Sequence, residues 1–512
     1  MLREPAPPEW SEIDHEVFAR LVSPDHYLRR ALEAIDFGRF RPLIVSKYSS
    51  DQGRPAEDPV FMLKLEFLQY HDNLSDRQVI ARAETDVSYR FFLGLSLKDE
   101  LPDPSTLCVF RGRLGVDGHR DIFHGVVSQA REHGLVKDRL RLKDATHVIA
   151  DVAIPTTLAL VAQTRNKLLA AAEPFDAVRV EGERARTEMI RVSTENHNAE
   201  ERLVARVTHL REILAWTDEL EPPRDADTNQ AWKALATARN LARKVLADQA
   251  DPKAGDRMRS IVDPDMRCGM HGDWYDGYLL DVMMDPDSEI LTALHELPAN
   301  GDESADAAEL VHQEEAFHGN DIGALSIDSV AFVGPVLKQL QDPEGLALDL
   351  YVPPVRQPET KYFAAEEFQE DASQGSLTCP AGQSTARRER NRHDTGWKYR
   401  FPGEVCAGCP LRDRCIQRPS ATTGRTVIKN EYEPQYRAMR AKAETAEYAA
   451  VRREHPKIER KLSELARRHR ARRARYRGGG KVLIGALLTG TVVNIKRMVH
   501  LLCAPKLAPE GT

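Results

Sequence analysis

Apolar positions in the first 120 residues recur at helical spacing. Val60, Leu63, Phe67 and Leu68 follow Asp58-Pro59, where proline suits a first helical position. Ser75 and Gln78 form the two halves of a capping box, which predicts a second start. Asp103-Pro104-Ser105-Thr106 predicts a third, leading into Val109, Phe110 and Leu114. The pattern then changes. Leu142–Ile154 is β-branched and alternating enough to predict a strand. From about Leu158 to Gln249 the chain turns helical and charged, with Leu203, Val207, Leu210 and Leu214 on one stripe and Trp232 and Leu235 on another. Strands resume over Asp276–Met284 and Glu289–Leu297, joined at Asp285-Pro286-Asp287-Ser288, a hairpin signal. A helix over Asp302–Phe317 and short strands at Ala324–Ser329 and Leu346–Pro353 follow.

This order predicts an α/β protein: a mixed-sheet core with a helical N-terminal domain, a helical insertion and a Cys-rich insertion. The expected segments are an N-terminal DNA-binding or dimerisation domain at 1–130, a first core strand at 140–157 and a helical insertion at 158–262. The core continues over 263–360, a Cys-rich insertion occupies 361–430, and 431–505 carries the last helices. The arginine-tipped N-terminal helices suit either a helix-turn-helix-like DNA reader or a bundle packed on the main domain.

Charge sharpens the picture once the chain is divided. The 512 residues carry a net −7, and the pI near 6.2 argues against a generic DNA-binding protein. Residues 420–512, however, hold 21 Lys and Arg against 8 Asp and Glu, so the basic charge is concentrated at one end of an acidic chain. The N-terminus opens Met-Leu-Arg-Glu-Pro without an apolar core, and Val482–Val493 is too short to span a bilayer. These features predict a cytoplasmic, nucleoid-associated protein that does not engage a membrane. Seven cysteines, an odd number, do not suggest a disulfide framework.

One acid of the basic end stands out. Glu459 sits ahead of Arg467, Arg468, Arg470, Arg472, Arg473, Arg475 and Arg477. So many cations repel one another unless a polyanion lies against them, and nucleic acid is the commonest polyanion. A carboxylate there weakens phosphate binding unless it has another task, such as holding a metal; the bland alternative is a salt bridge. Asp144 falls on the first predicted strand and Asp328 at the end of a later one. Strand ends cluster at one edge of an α/β sheet, and three carboxylates there suit two Mg²⁺ or Mn²⁺ ions about 4 Å apart. Asp281, Asp285 and Asp302 rival Asp328, although Asp285 reads as a turn residue and Asp302 as a helix cap. Asp151 reads as a strand-end or loop carboxylate. Cys379, Cys406, Cys409 and Cys415 fall within 37 positions and include a Cys-x₂-Cys, the spacing of a structural Zn²⁺ site. His393 is a possible substitute ligand, and four reduced thiols in a loop are the alternative.

The chain resembles the DDE transposases of bacterial insertion sequences, which have an RNase H-like catalytic core. The resemblance rests on Leu74–Gln78, Tyr89–Leu95 and Pro102–Thr106 in the helical region, Lys143–Val148 around the first aspartate, and Arg453–Glu459 with Arg472–Gly478 and Asn494–Arg497 at the end. Two features depart from the family pattern. Ala466 stands two helical turns after Glu459, where a basic residue is usual, with Arg467 beside it; Asp328 is followed by an aromatic only at Phe332. The resemblance implies catalytic Asp144, Asp328 and Glu459, and a homodimer on double-stranded DNA. It also implies binding of terminal inverted repeats and metal-dependent cleavage with strand transfer into target DNA. A catalytically inactive transposase-derived DNA-binding protein and an RNase H-like metal-dependent nuclease are the alternatives.

Overall fold

The computed structural model describes residues 9–48, 56–224, 226, 229–355, 361–371, 373–392, 395–417 and 424–503. Seven helices open the chain: α1 (Glu12–Leu21), α2 (Tyr27–Ala34), α3 (Arg41–Val45), α4 (Pro59–His71), α5 (Asp76–Thr85), α6 (Val87–Leu93) and α7 (Ser105–Glu132). Their starts follow the predicted chemistry. The Asp58 carboxylate accepts from the Val60 and Phe61 N–H groups, and Ser75 with Gln78 closes a capping box. Two arginines of these helices turn inward. Arg90 donates to the Leu97 and Asp99 carbonyls, and Arg111 to Asp76 and Gln69.

β1 (Arg141–Ile149) lies between β3 (Asp273–Met284), antiparallel to it, and β5 (Ala324–Ser326), parallel to it. β6 (Asp349–Tyr351) extends the parallel side, while β2 (Arg267–His271) and β4 (Leu291–Pro298) pair antiparallel with β3. The result is an RNase H-like mixed sheet behind a helical N-terminal region. The β3–β4 turn closes on Asp285, whose carboxylate accepts from the Ser288 N–H and hydroxyl at 2.7 and 2.8 Å. β1 stops at Ile149, five residues before its predicted end, where the Ile149 backbone bonds to Arg472 and Ala474. β2 is not legible in the sequence: five residues with Gly269 at the centre carry little β-branched signal. The predicted Asp302 helix begins at Ala307, since Asp302 caps the turn before it.

Four helices join β1 to β2: α8 (Thr157–Ala172), α9 (Ala177–Ser193), α10 (Ala199–Asp218) and α11 (Gln230–Ala250). They pack around Val161, Leu168, Leu210, Leu235 and Val245, an apolar cluster of their own. Further on come α12 (Ala307–His318), α13 (Gly334–Leu340), the short strands β7 (Gln369–Asp371), β8 (Ser376–Thr378), β9 (Ser384–Thr385), β10 (Arg388–Arg390), β11 (Gly396–Arg400) and β12 (Thr426–Asn430), and α14 (Gly403–Ala407). A small cluster of Phe363, Phe368, Leu377, Tyr399, Phe401 and Val427 holds these strands together. The chain closes with α15 (Glu433–Ala443), α16 (Ala446–Glu454), α17 (Pro456–Arg468) and α18 (Gly479–Cys503).

The largest cluster draws on both ends of the chain. α18 packs against α2, α4 and α7 on one side and β4 on the other. Its Asn494, fully buried, accepts from the Leu291 N–H and donates to the Leu291 carbonyl, both at 2.8 Å. Beneath the sheet, the Arg141 guanidinium meets Glu314 of α12 at 2.9 Å with both side chains buried. Burial alone would raise the Glu314 pKa, but attraction to Arg141 holds it below the usual range. Replacing Glu314 with alanine strands a buried guanidinium, so Glu314→Ala is expected to cost about 3–5 kcal/mol in urea unfolding at neutral pH. A depressed carboxyl pKa contributes above the unfolded value and is lost as pH falls through the folded one, so the deficit should shrink in acid.

Candidate functional site

The β1–β5 register pairs Arg141 with Leu325 and Leu142 with Ser326. Continued two residues, it sets Asp144 beside Asp328. α17 packs against β1 and brings Glu459 to the same mouth. Asp144, Thr146, His271, Glu459, Arg467 and Arg472 line a cleft of about 410 Å³. Burial pushes the Asp144 carboxyl up to about 6; repulsion from Asp328 and Glu303 adds to this, and the Ala145 N–H opposes it.

A cation stands among these acids. Arg452 of α16 donates to the Ser326 hydroxyl at 2.9 Å and the Ile327 carbonyl at 2.8 Å, and its charge feels Asp144, Asp328 and Glu459. Burial lowers its pKa and the acids oppose that shift. The chain order hid this residue. Arg452 lies seven positions before Glu459, two helical turns ahead of the acid rather than after it, and the junction of α16 and α17 intervenes.

The expected pair of Mg²⁺ or Mn²⁺ ions is not supported. Among the described residues, no group of three or more His, Cys, Asp or Glu side chains is placed to hold a metal ion. Local bonding accounts for part of this. Asp144 accepts from the N–H next to it, Asp328 caps a single turn through the Val330 N–H at 3.1 Å, and Glu459 is exposed on its helix. Arg452 supplies positive charge where a metal was expected. The predicted DNA transposase chemistry, two-metal cleavage and strand transfer at Asp144, Asp328 and Glu459, is corrected accordingly.

The same finding overturns the expected Zn²⁺ site. Cys379, Cys406, Cys409 and Cys415 are free thiols around one recess of about 30 Å³, yet they do not form a ligating group. Cys379, Cys406 and Cys415 pack against the small apolar cluster as modest hydrophobes do. Burial pushes the Cys415 thiol up, favouring the protonated form that does not ligate. His393 lies outside the described residues.

The arginine run is not one helix. α17 ends at Arg468, and Arg470 takes a left-handed φ of 55° that turns the chain back to the sheet. The Ile149 N–H donates to the Arg472 carbonyl at 2.9 Å, and the Ala474 N–H to the Ile149 carbonyl at 2.8 Å, which consumes the end of β1. Arg472 lies 2.7 Å from His147 Nδ1, and burial, reinforced by Arg472, pushes His147 down to about 4, so the neutral ring accepts. Arg473 pairs with Asp151, just beyond β1, at 3.1 Å, and Arg477 reaches the Asp151 carbonyl. Arg475 lies over Tyr70 and donates to the Leu74 carbonyl. Arg467, Arg468 and Arg470 are exposed, and their guanidiniums form no ion pair or hydrogen bond with described residues. A second basic surface lies on β10–β11, where Arg388 and Arg390 stand 4.0 and 4.9 Å from the Trp397 ring.

Residues 16–113 match a family described as a transposase domain, and residues 378–499 match one described as a transposase DDE domain. An RNase H-like core behind a helical transposase domain defines the class. The two matches support a DDE-transposase-like protein, with a helical domain towards the N-terminus and a DDE domain towards the C-terminus. Glu459 and the arginine run fall inside the second match, whereas Asp144 and Asp328 lie outside both. Over 119 residues the chain is 29% identical to "Uncharacterized protein ORF8 in nfe locus" of Rhizobium meliloti, covering 23% of this chain and 57% of that protein. The chain therefore spans little more than half the length of this relative. No solved structure matches. A DDE domain implies a general capacity to bind DNA. α18 is long and apolar enough to cross a membrane, but 78% of its most apolar window is buried inside the fold.

The raised pKa of Asp144 has a testable consequence. Above about pH 6 the carboxylate is ionised in both folded and unfolded states, and the folded state bears the full cost; as pH falls from about 6 towards 4 the folded state takes up its proton first and the cost fades. Asp144→Asn should therefore stabilise the protein by about 1–3 kcal/mol near pH 8 and by little near pH 4, read from urea unfolding at each pH.

Proposed function

We propose that this chain is a transposase-derived DNA-binding protein that grips duplex DNA without cutting it. The carrying observation is the exposed trio Arg467, Arg468 and Arg470 inside the DDE match. Guanidiniums held at the rim of a cleft bind phosphates and so position a duplex without reading its sequence. The absence of a metal-holding group among the described residues favours binding over nuclease or strand-transfer chemistry. In this reading residues 431–505 carry the principal DNA surface and 361–430 add the Arg388–Trp397–Arg390 surface. The preferred duplex is the terminal inverted repeat of an insertion sequence, held by two copies of the chain in the bacterial cytoplasm.

Fluorescence anisotropy with labelled duplex tests this. Arg467→Ala, Arg468→Ala and Arg470→Ala combined should weaken binding equally across sequences and reduce the salt slope by about 3, roughly one for each guanidinium removed from a phosphate. An unchanged slope would place the DNA elsewhere. Duplex incubated with the protein and Mg²⁺ or Mn²⁺ should stay intact, and strand cleavage would overturn the binding-only reading. A repeat-containing duplex bound no better than a scrambled one would reduce the function to non-specific binding.

A further inference from the structure

α9 is two-faced. Its inner face buries Val180 and Glu183 against α8 and α10, with Glu183 bonded to His209 Nε2 at 2.9 Å. On the opposite face Val178, Gly182, Ala185, Met189 and Val192 are all exposed. Val178 is 87% exposed, Met189 64% and Val192 55%. These five follow one another at steps of four, three, four and three, the spacing of a coiled-coil seam. They therefore form a continuous apolar stripe of the kind that alternating heptad positions make. Gly182 is at its middle, and a Cβ built there meets nothing within 4 Å. Glycine in a helix interior is destabilising, so nothing within this fold explains its presence. Close approach of a second backbone would.

The flanks say which partner fits. Arg179 and Arg186 border the stripe on one side, Glu181 and Glu188 on the other. Two copies laid antiparallel would set arginine against arginine and glutamate against glutamate. Laid parallel, Glu181 of each copy meets Arg186 of the other, five residues on, as in parallel two-stranded coils. Within one chain Arg186 already pairs with Glu212 and Glu183, but it remains 42% exposed; Glu181, 3.7 Å from Arg184, is 78% exposed. Both remain open to the facing copy.

We infer that α9 is a self-association surface, on which a second copy of this chain packs its own α9 in parallel register. The seam runs for only two heptads, so it buries less than the roughly 1,000 Å² of a stable interface, and the pair forms at high protein concentration or when one DNA molecule holds both copies.

Sedimentation equilibrium of the full chain without DNA, at high micromolar concentration, tests the surface. The wild-type protein should self-associate, and Met189→Glu should weaken association roughly tenfold or more by burying a charge in the seam. An exposed position makes that variant neutral for folding, which circular dichroism and unfolding should confirm. Val192→Cys should cross-link to itself on oxidation beyond the wild-type background, because parallel packing brings the two positions together. A monomeric wild type, Met189→Glu association equal to wild type, or cross-linking that requires Val178→Cys paired with Val192→Cys would each overturn the inference. Binding to a single-site duplex is measured separately: its absence would sink the DNA-binding reading and leave the self-association result standing.

Discussion

Asn494 exchanges two hydrogen bonds with the backbone of Leu291 from the buried face of α18. That pair fixes the depth and rotation of α18 against β4, because an amide buried without both partners is costly. With α18 so fixed, Leu487, Val492, Ile495 and Met498 fill the space between the sheet and the N-terminal helices. The N-terminal helices have no separate core. They share the largest apolar cluster with the sheet and the final helices, so the N-terminal match and the helical end of the second match form one packing unit.

The charge arrangement follows from that packing. α17 and the loop behind it are held to β1 by a parallel backbone bridge, which leaves three arginines outside and draws Arg472 in against His147. Near the cleft, Arg452 offsets acids that repel one another. A site with its own internal cation has less need of an external one. That balance, rather than the mere count of carboxylates, sets the charge of the cleft.

Sequence patterns exposed the elements that rest on local chemistry. Asp58 and Ser75 announce helix starts through caps that depend on neighbours within three residues, and Asp285 announces a turn for the same reason. Asp144 and Glu459 were found as residues facing one cleft. What the pattern did not reveal depends on distant partners. That Arg111 faces inward follows from Asp76 and Gln69, which lie 35 and 42 positions before it. Arg452 acquires meaning only once α16 packs beside β5. The four cysteines show the opposite error: a familiar spacing brought the thiols around one recess without making them a ligand set.

The order in which the chain is made gives the burial of α18 a further meaning. Helices α1–α7 emerge from the ribosome before α18, yet the helix that completes their core is the last element of the described fold. At ordinary rates of synthesis the interval is on the order of tens of seconds, during which apolar faces of α2, α4 and α7 wait without their partner. A chain stopped before Gly479 would leave those faces open permanently and invite chaperones and proteases.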